Sequence, residues 1–143
     1  MADYTKPGVG LMNIKPKPVP VQYIIDKDNV TSVESSGVTK PSNRDFRNAW
    51  VLNSDKDVIT EDLATAKTIF KNKIREVRKP LLDALDVDYM KALEEGDSSA
   101  QTTAKNKKKA LRDAPAASAI TNASNITQLK AAWDTSILGT SPY

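Results

Sequence analysis

The strongest periodic signal in the chain runs from Thr60 to Lys79. Apolar residues fall at Leu63, Ala66, Ile69, Phe70, Ile74 and Val77, spaced three and four apart. That spacing puts them on one face of a helix. Lys67, Lys71, Lys73, Arg75, Arg78 and Lys79 occupy the other faces. Thr60 stands at a capping position, and Glu61 and Asp62 complement the positive end of the peptide dipoles. The pattern predicts a helix about 30 Å long at ~1.5 Å per residue. Pro80 has no N–H to donate, so it predicts an end or a kink there. Leu81, Leu82 and Leu85 then read as the densest part of the core. Asp86 reads as the cap of a new turn carrying Val87, Tyr89, Met90 and Leu93, closed by Gly96.

Either side of this stretch the pattern changes. Ser42, three residues before Asp45, has the form of a helix start, and Asn43 to Ala49 predicts two helical turns with Phe46 on the packed face. Trp50-Val51-Leu52 and Val58-Ile59 flank the polar run Asn53 to Asp57, which predicts a β-hairpin with Trp50 as its anchor. After Gly96, Asp97 or Ser98 opens a helix over about Ser99 to Asp113, with the weak apolar face Ala100, Ala104, Ala110 and Leu111. Pro115 ends it. Asn125, three residues before Gln128, opens a last short helix carrying Ile126, Leu129, Ala132 and Trp133. Residues 1–41 follow neither period. Pro7, Pro16, Pro18 and Pro20 preclude a helix and favour an extended path. Val21 to Ile25 and Val30 to Val33 are short enough to pair weakly across a polar turn.

The expected fold is therefore mainly α: a small helical domain over 42–138 with a hairpin near 50–59, an extended Pro-rich arm over 1–41, and a flexible C-terminus over 139–143. With 39% hydrophobic and 6% aromatic residues, much of the apolar content being Ala, the core is expected to be modest. No apolar run reaches the ~20 residues of a membrane span. Met1 to Gly10 has no apolar leader-like region, so the expected setting is a cytoplasm or a particle assembled in one.

The chain has no Cys and no His. This removes disulfides, thiolate zinc sites, cysteine nucleophiles and imidazole acid–base chemistry. Asp83, Asp86, Asp88, Glu94 and Glu95 suit caps and exposed helix faces better than a metal or acid–base cluster. Gly8-Val9-Gly10 lacks the strand and helix that a phosphate loop requires. No enzyme activity and no cofactor are expected.

The net charge of +3 hides segregation. Lys67 to Lys79 carries six positive side chains and one negative, Lys105 to Arg112 carries five positive and none negative, and Asp83 to Asp97 between them is acidic. Lys105, Lys107, Lys108, Lys109 and Arg112 form a candidate basic patch. No aromatic residue interleaves this run, and a solvated helix face explains it as well as nucleic acid does. Nucleic acid is not the expected partner. The candidate protein-interface residues are Pro16, Pro18 and Pro20 on the arm, Tyr23 in its first strand, and the aromatics Phe46, Trp50 and Trp133.

Several boxes also stand in a particular order: Asn43-Arg44-Asp45-Phe46-Arg47-Asn48-Ala49-Trp50, then the Ala66-Lys67 helix, Arg78-Lys79-Pro80-Leu81-Leu82-Asp83-Ala84-Leu85-Asp86-Val87-Asp88-Tyr89-Met90-Lys91-Ala92, Glu94-Glu95-Gly96-Asp97, Lys108-Lys109-Ala110-Leu111-Arg112-Asp113 and Leu129-Lys130-Ala131-Ala132-Trp133. Over residues 41–133 this order resembles a group of small bacteriophage tail-region proteins. The resemblance implies a non-enzymatic structural or assembly component. Its partners would be other phage structural proteins (tail, adaptor or fibre subunits), met in multiple copies within a virion assembled in the bacterial cytoplasm. A tail-fibre assembly chaperone absent from the finished particle is the alternative it leaves, and a head-decoration or nucleic-acid-binding accessory role is a further one. The long Pro-rich arm departs from the compact form of that group.

Overall fold

The computed structural model describes residues 22–25 and 32–143, in two units, residues 1–38 and 39–143. In the first, β1 (Tyr23–Ile25) pairs antiparallel with β2 (Ser32–Glu34), with Ile24 opposite Val33. The Ser35 N–H donates to the Gln22 carbonyl at 2.7 Å and extends the ladder. This is the weak pairing the two apolar runs predict. The arm's Pro16, Pro18 and Pro20 lie outside the described residues.

The second unit begins with a small sheet. Strands β3 (Trp50–Leu52) and β4 (Ile59–Glu61) pair with Leu52 opposite Ile59 and Trp50 opposite Glu61. The predicted hairpin is present. Asn53 organises its loop: the side-chain carbonyl accepts from the N–H groups of Asp57 (3.0 Å) and Val58 (3.1 Å), and its amide donates to the Asp57 carboxylate at 2.6 Å. Lys56 takes φ 60°, a turn conformation rare for side chains of its kind. Ahead of the hairpin, the predicted pair of helical turns is smaller. The Asn43 side chain accepts from the Asp45 N–H at 3.2 Å, and a single 3-10 turn, Arg47–Ala49, follows. Short side-chain-to-backbone bonds of this kind compete with helix formation.

The long helix starts later and ends later than predicted. α1 spans Leu63–Glu94, 32 residues, or about 48 Å. Its cap is Asp62, whose carboxylate accepts from the Thr65 N–H at 2.9 Å; Thr60 belongs to β4. Pro80 lies inside the helix and does not end it. Both Pro80 and Glu76, whose carbonyl loses its donor there, are exposed, so water can take that carbonyl. On the opposite side Val77, Leu81, Leu82 and Leu85 pack against the core and hold the helix together. Asp86 consequently caps nothing; it forms an ion pair with Lys108. Gly96, at φ 68°, makes the turn, and the Asp97 carboxylate caps α2 (Ser98–Asp113) by accepting from the Ala100 N–H at 2.9 Å.

After α2 come a 3-10 turn at Ala114–Ala116, α3 (Ser118–Asn122), α4 (Ile126–Ala131) and α5 (Thr135–Leu138). Asn125 caps α4 by accepting from the Gln128 N–H, while Gln128 reaches back to accept from the Ser124 N–H, both at 2.8 Å. These short helices wrap the first half of α1. Lys67 Nζ donates to the Thr121 carbonyl at 2.8 Å, and Lys130 pairs with Asp45 at 2.6 Å.

The centre of the core is Phe46, Phe70, Ile74, Ile120 and Leu129, all fully buried, with Trp133 and Leu138 beside them. Leu81, Leu82 and Leu85 are half-buried at its edge, contrary to expectation. Residues 139–143, expected to be flexible, return to the core. The Tyr143 ring stacks on Phe46 and Phe70 with centroids at 5.2 and 5.4 Å, and Trp133 meets both Phe70 and Tyr143 edge-on. The Trp133 indole N–H donates to the Gly139 carbonyl at 3.1 Å and secures this return.

Candidate functional site

The candidate residues separate clearly once they are placed. Phe46 is fully buried and Trp133 is 5% exposed, so both are core and neither offers a docking surface. Trp50 is half-buried on β3; the Arg44 guanidinium lies over its ring at 5.8 Å, and its buried indole N–H has no hydrogen-bond partner among the described residues. Tyr23 is 62% exposed on β1.

The surface that stands out lies elsewhere. Beyond the core, α1 and α2 continue side by side as a two-helix hairpin. Its buried interior residues are alanines, Ala92 and Ala104, and the Gln101 side chain donates across to the Ala92 carbonyl at 3.3 Å. A pair of helices covers only one face of each member, so apolar residues on the outer side stay in solvent. Val87, Met90 and Leu93 are 53%, 53% and 49% exposed. At i, i+3 and i+6 they form an oblique ridge of the type that seats into a groove on a second helix. Asp83 lies one turn before Val87, and Glu94 one turn after Met90; both are exposed. The ridge is apolar with acidic edges. The sequence puts these three residues on one turn, and periodicity shows that a stripe exists but not whether anything covers it.

Among the hollows along the hairpin are two of different character. One, of about 350 Å³, is lined by Leu81, Ala84, Leu85, Ala110, Leu111 and Ile137, with Asp88, Lys107 and Ser136 among its polar groups. The other, of about 190 Å³, is lined by Tyr89, Lys105, Lys108 and Arg112. The basic patch is thus divided. Lys108 is held by Asp86 and sits 5.7 Å from the Tyr89 ring centre, Lys109 is held by Asp113, and Lys107 belongs to the apolar hollow. Lys105 and Arg112 form no ion pair among the described residues. An aromatic residue does therefore accompany the cations, although none is near them in sequence. The hint was the turn at Gly96: residues about equally far on either side of a helical-hairpin turn become neighbours.

Among the described residues, the Tyr143 phenol has a shifted affinity for its proton. Burial in the aromatic cluster, and then the negative charge of Asp45, push the Tyr143 phenol above its ordinary value. A raised folded-state value means that the phenol's contribution to stability is intact below about pH 10 and is lost as the pH rises through that raised value. Tyr143→Phe keeps the stacked ring and removes the titration. Denaturant midpoints measured from pH 8 to 11 are expected to fall less steeply above about pH 10 in this variant than in the wild type. Parallel curves would show that Tyr143 ionises freely.

No helix among the described residues is long and apolar enough to cross a membrane. No protein-family model, curated protein or solved structure matches the chain.

Proposed function

We propose that the chain is a non-enzymatic structural protein of a bacteriophage virion, a tail, adaptor or tail-fibre-associated component that holds neighbouring subunits. The observation that carries this reading is the uncovered ridge Val87, Met90 and Leu93 on a hairpin whose buried residues beyond the core are Ala92 and Ala104. Isolated exposed apolar residues are ordinary, but an aligned apolar ridge bounded by charge is a contact surface. The ordered boxes over residues 41–133 support the phage setting. The acidic edges favour a partner helix with an apolar strip edged by Lys or Arg. The Pro-rich arm, in this reading, lies along a second neighbour, where a stiff extended segment gives up little conformational entropy. Many copies in one particle allow each contact to be weak.

Peptide mass mapping of purified particles tests the proposal. The chain is expected at a fixed stoichiometry relative to the tail proteins. Abundance in the lysate with absence from mature particles would overturn the structural role and identify a departing assembly chaperone. Met90→Glu places a charge in the middle of the ridge without touching the core. It is expected to retain wild-type circular dichroism while incorporation into particles falls about tenfold or more, the effect of losing at least 1.4 kcal/mol at a contact centre.

A further inference from the structure

Tyr89, Lys105, Lys108 and Arg112 line one hollow of about 190 Å³ between α1 and α2. The three cations stand at i, i+3 and i+7 on α2, which puts them on a single face. Lys105 and Arg112 are exposed and form no ion pair, and the Tyr89 hydroxyl makes no hydrogen bond among the described residues. Lys108 is shared with Asp86, and Asp113 holds Lys109, so the net charge facing the hollow comes mainly from the two unpaired cations. They are about 10 Å apart along the helix, with the ring between them on the facing helix.

We infer that this hollow binds the sugar–phosphate backbone of single-stranded nucleic acid, without regard to base sequence. Arg112 offers a planar fork that can meet a phosphate with two hydrogen bonds, and Lys105 offers a point charge for a second phosphate. Tyr89 offers a phenol donor and an aromatic surface beside them. Cations that track a strand next to an aromatic ring are the combination by which proteins hold single strands. A chain of carboxylates would satisfy the cations and leave the ring unused, which is why a strand fits better than an acidic protein. No side chain around the hollow is arranged to read base edges, so the binding is expected to be sequence-independent. This inference goes beyond the virion role and stands whether or not the protein remains in the particle.

Fluorescence anisotropy of the full chain with a labelled mixed-sequence single strand tests it. Binding is expected to weaken with salt, with a log–log slope of about −1.4 for roughly two phosphate contacts. Lys105→Gln with Arg112→Gln is expected to lower affinity at least tenfold and to flatten that slope by about 1.4. Tyr89→Ala is expected to cost at least about fivefold, whereas Tyr89→Phe keeps the ring and most of the affinity. Lys71→Gln with Lys79→Gln removes the same charge elsewhere and is expected to change binding less than about twofold. Three results would each overturn the inference: no salt-sensitive binding by the wild type, an equal loss in the Lys71/Lys79 variant, or a strand displaced as readily by polyglutamate or inorganic phosphate as by unlabelled strand. Polyglutamate displacement would point to an acidic protein instead, and phosphate displacement to a small-anion pocket.

Discussion

Replacing Phe70 with alanine is expected to remove about 3–5 kcal/mol of stability, the usual cost of emptying a fully buried aromatic site. Phe70 is fully buried on the inner face of α1, with Tyr143 stacked at 5.4 Å and Trp133 edge-on at 5.8 Å. Aromatic pairs of this kind add about 0.5–1.5 kcal/mol to the effect of area alone. The substitution therefore leaves a cavity and also unsupported rings on two sides. Phe46 and the 3-10 turn Arg47–Ala49, α4 and the C-terminal return all gather around the α1 face that carries Phe70, so collapse into the cavity has few routes. A domain of this size has roughly 5–15 kcal/mol in total, so about a fifth or more of its stability rests on one ring. Urea unfolding followed by circular dichroism and tryptophan fluorescence measures it. The midpoint should drop sharply, and the melting temperature should fall by about 12–40 °C at ~4–8 °C per kcal/mol. A loss under about 1 kcal/mol would mean that the core is centred elsewhere.

Local signals were legible because their physics is local. The caps at Asp97 and Asn125 and the turn at Gly96 depend on residues within four positions of one another, and both hairpins on apolar runs separated by one short polar stretch; each stands close to where the chain predicts it. The capping choice between Thr60 and Asp62 was not legible, because either side chain can serve. What decides is that β4 continues through Glu61 and keeps Thr60 extended. The core centre was hidden for a different reason. Leu81, Leu82 and Leu85 are the densest apolar cluster in sequence. Phe46, Ile120, Leu129 and Tyr143 come from four distant segments whose meeting no periodicity announces.

The candidate site was legible only as ingredients. The lysines of α2 were evident, but Tyr89 joins them by way of the turn at Gly96. Phe46 and Trp133 drew attention as aromatics in a chain with few, and both proved to be packing. Their ring size suits a core as well as an interface, and exposure alone separates the two.

Pro80→Ala is expected to stabilise the protein, by up to about 3 kcal/mol. Proline in a helix interior removes one hydrogen bond, and its ring crowds the carbonyl four residues earlier. Here α1 runs through Pro80 regardless, so the native state already bears that cost. Pro80 is exposed, and alanine in its place forfeits little packing while its N–H can donate to the Glu76 carbonyl. The unfolded chain gains freedom when proline is lost, which offsets the gain by about 0.4–1 kcal/mol. A net rise of roughly 1–2.5 kcal/mol in unfolding free energy should remain, visible as a higher urea midpoint with an unchanged slope. A fall in stability would show that α1 needs a bend at this point, and that the hairpin carrying Val87, Met90 and Leu93 is aimed by it. The same variant then separates two roles for the proline. If stability rises and particle incorporation holds, Pro80 is only tolerated; if stability rises while incorporation falls, the direction of the hairpin is what the proline maintains.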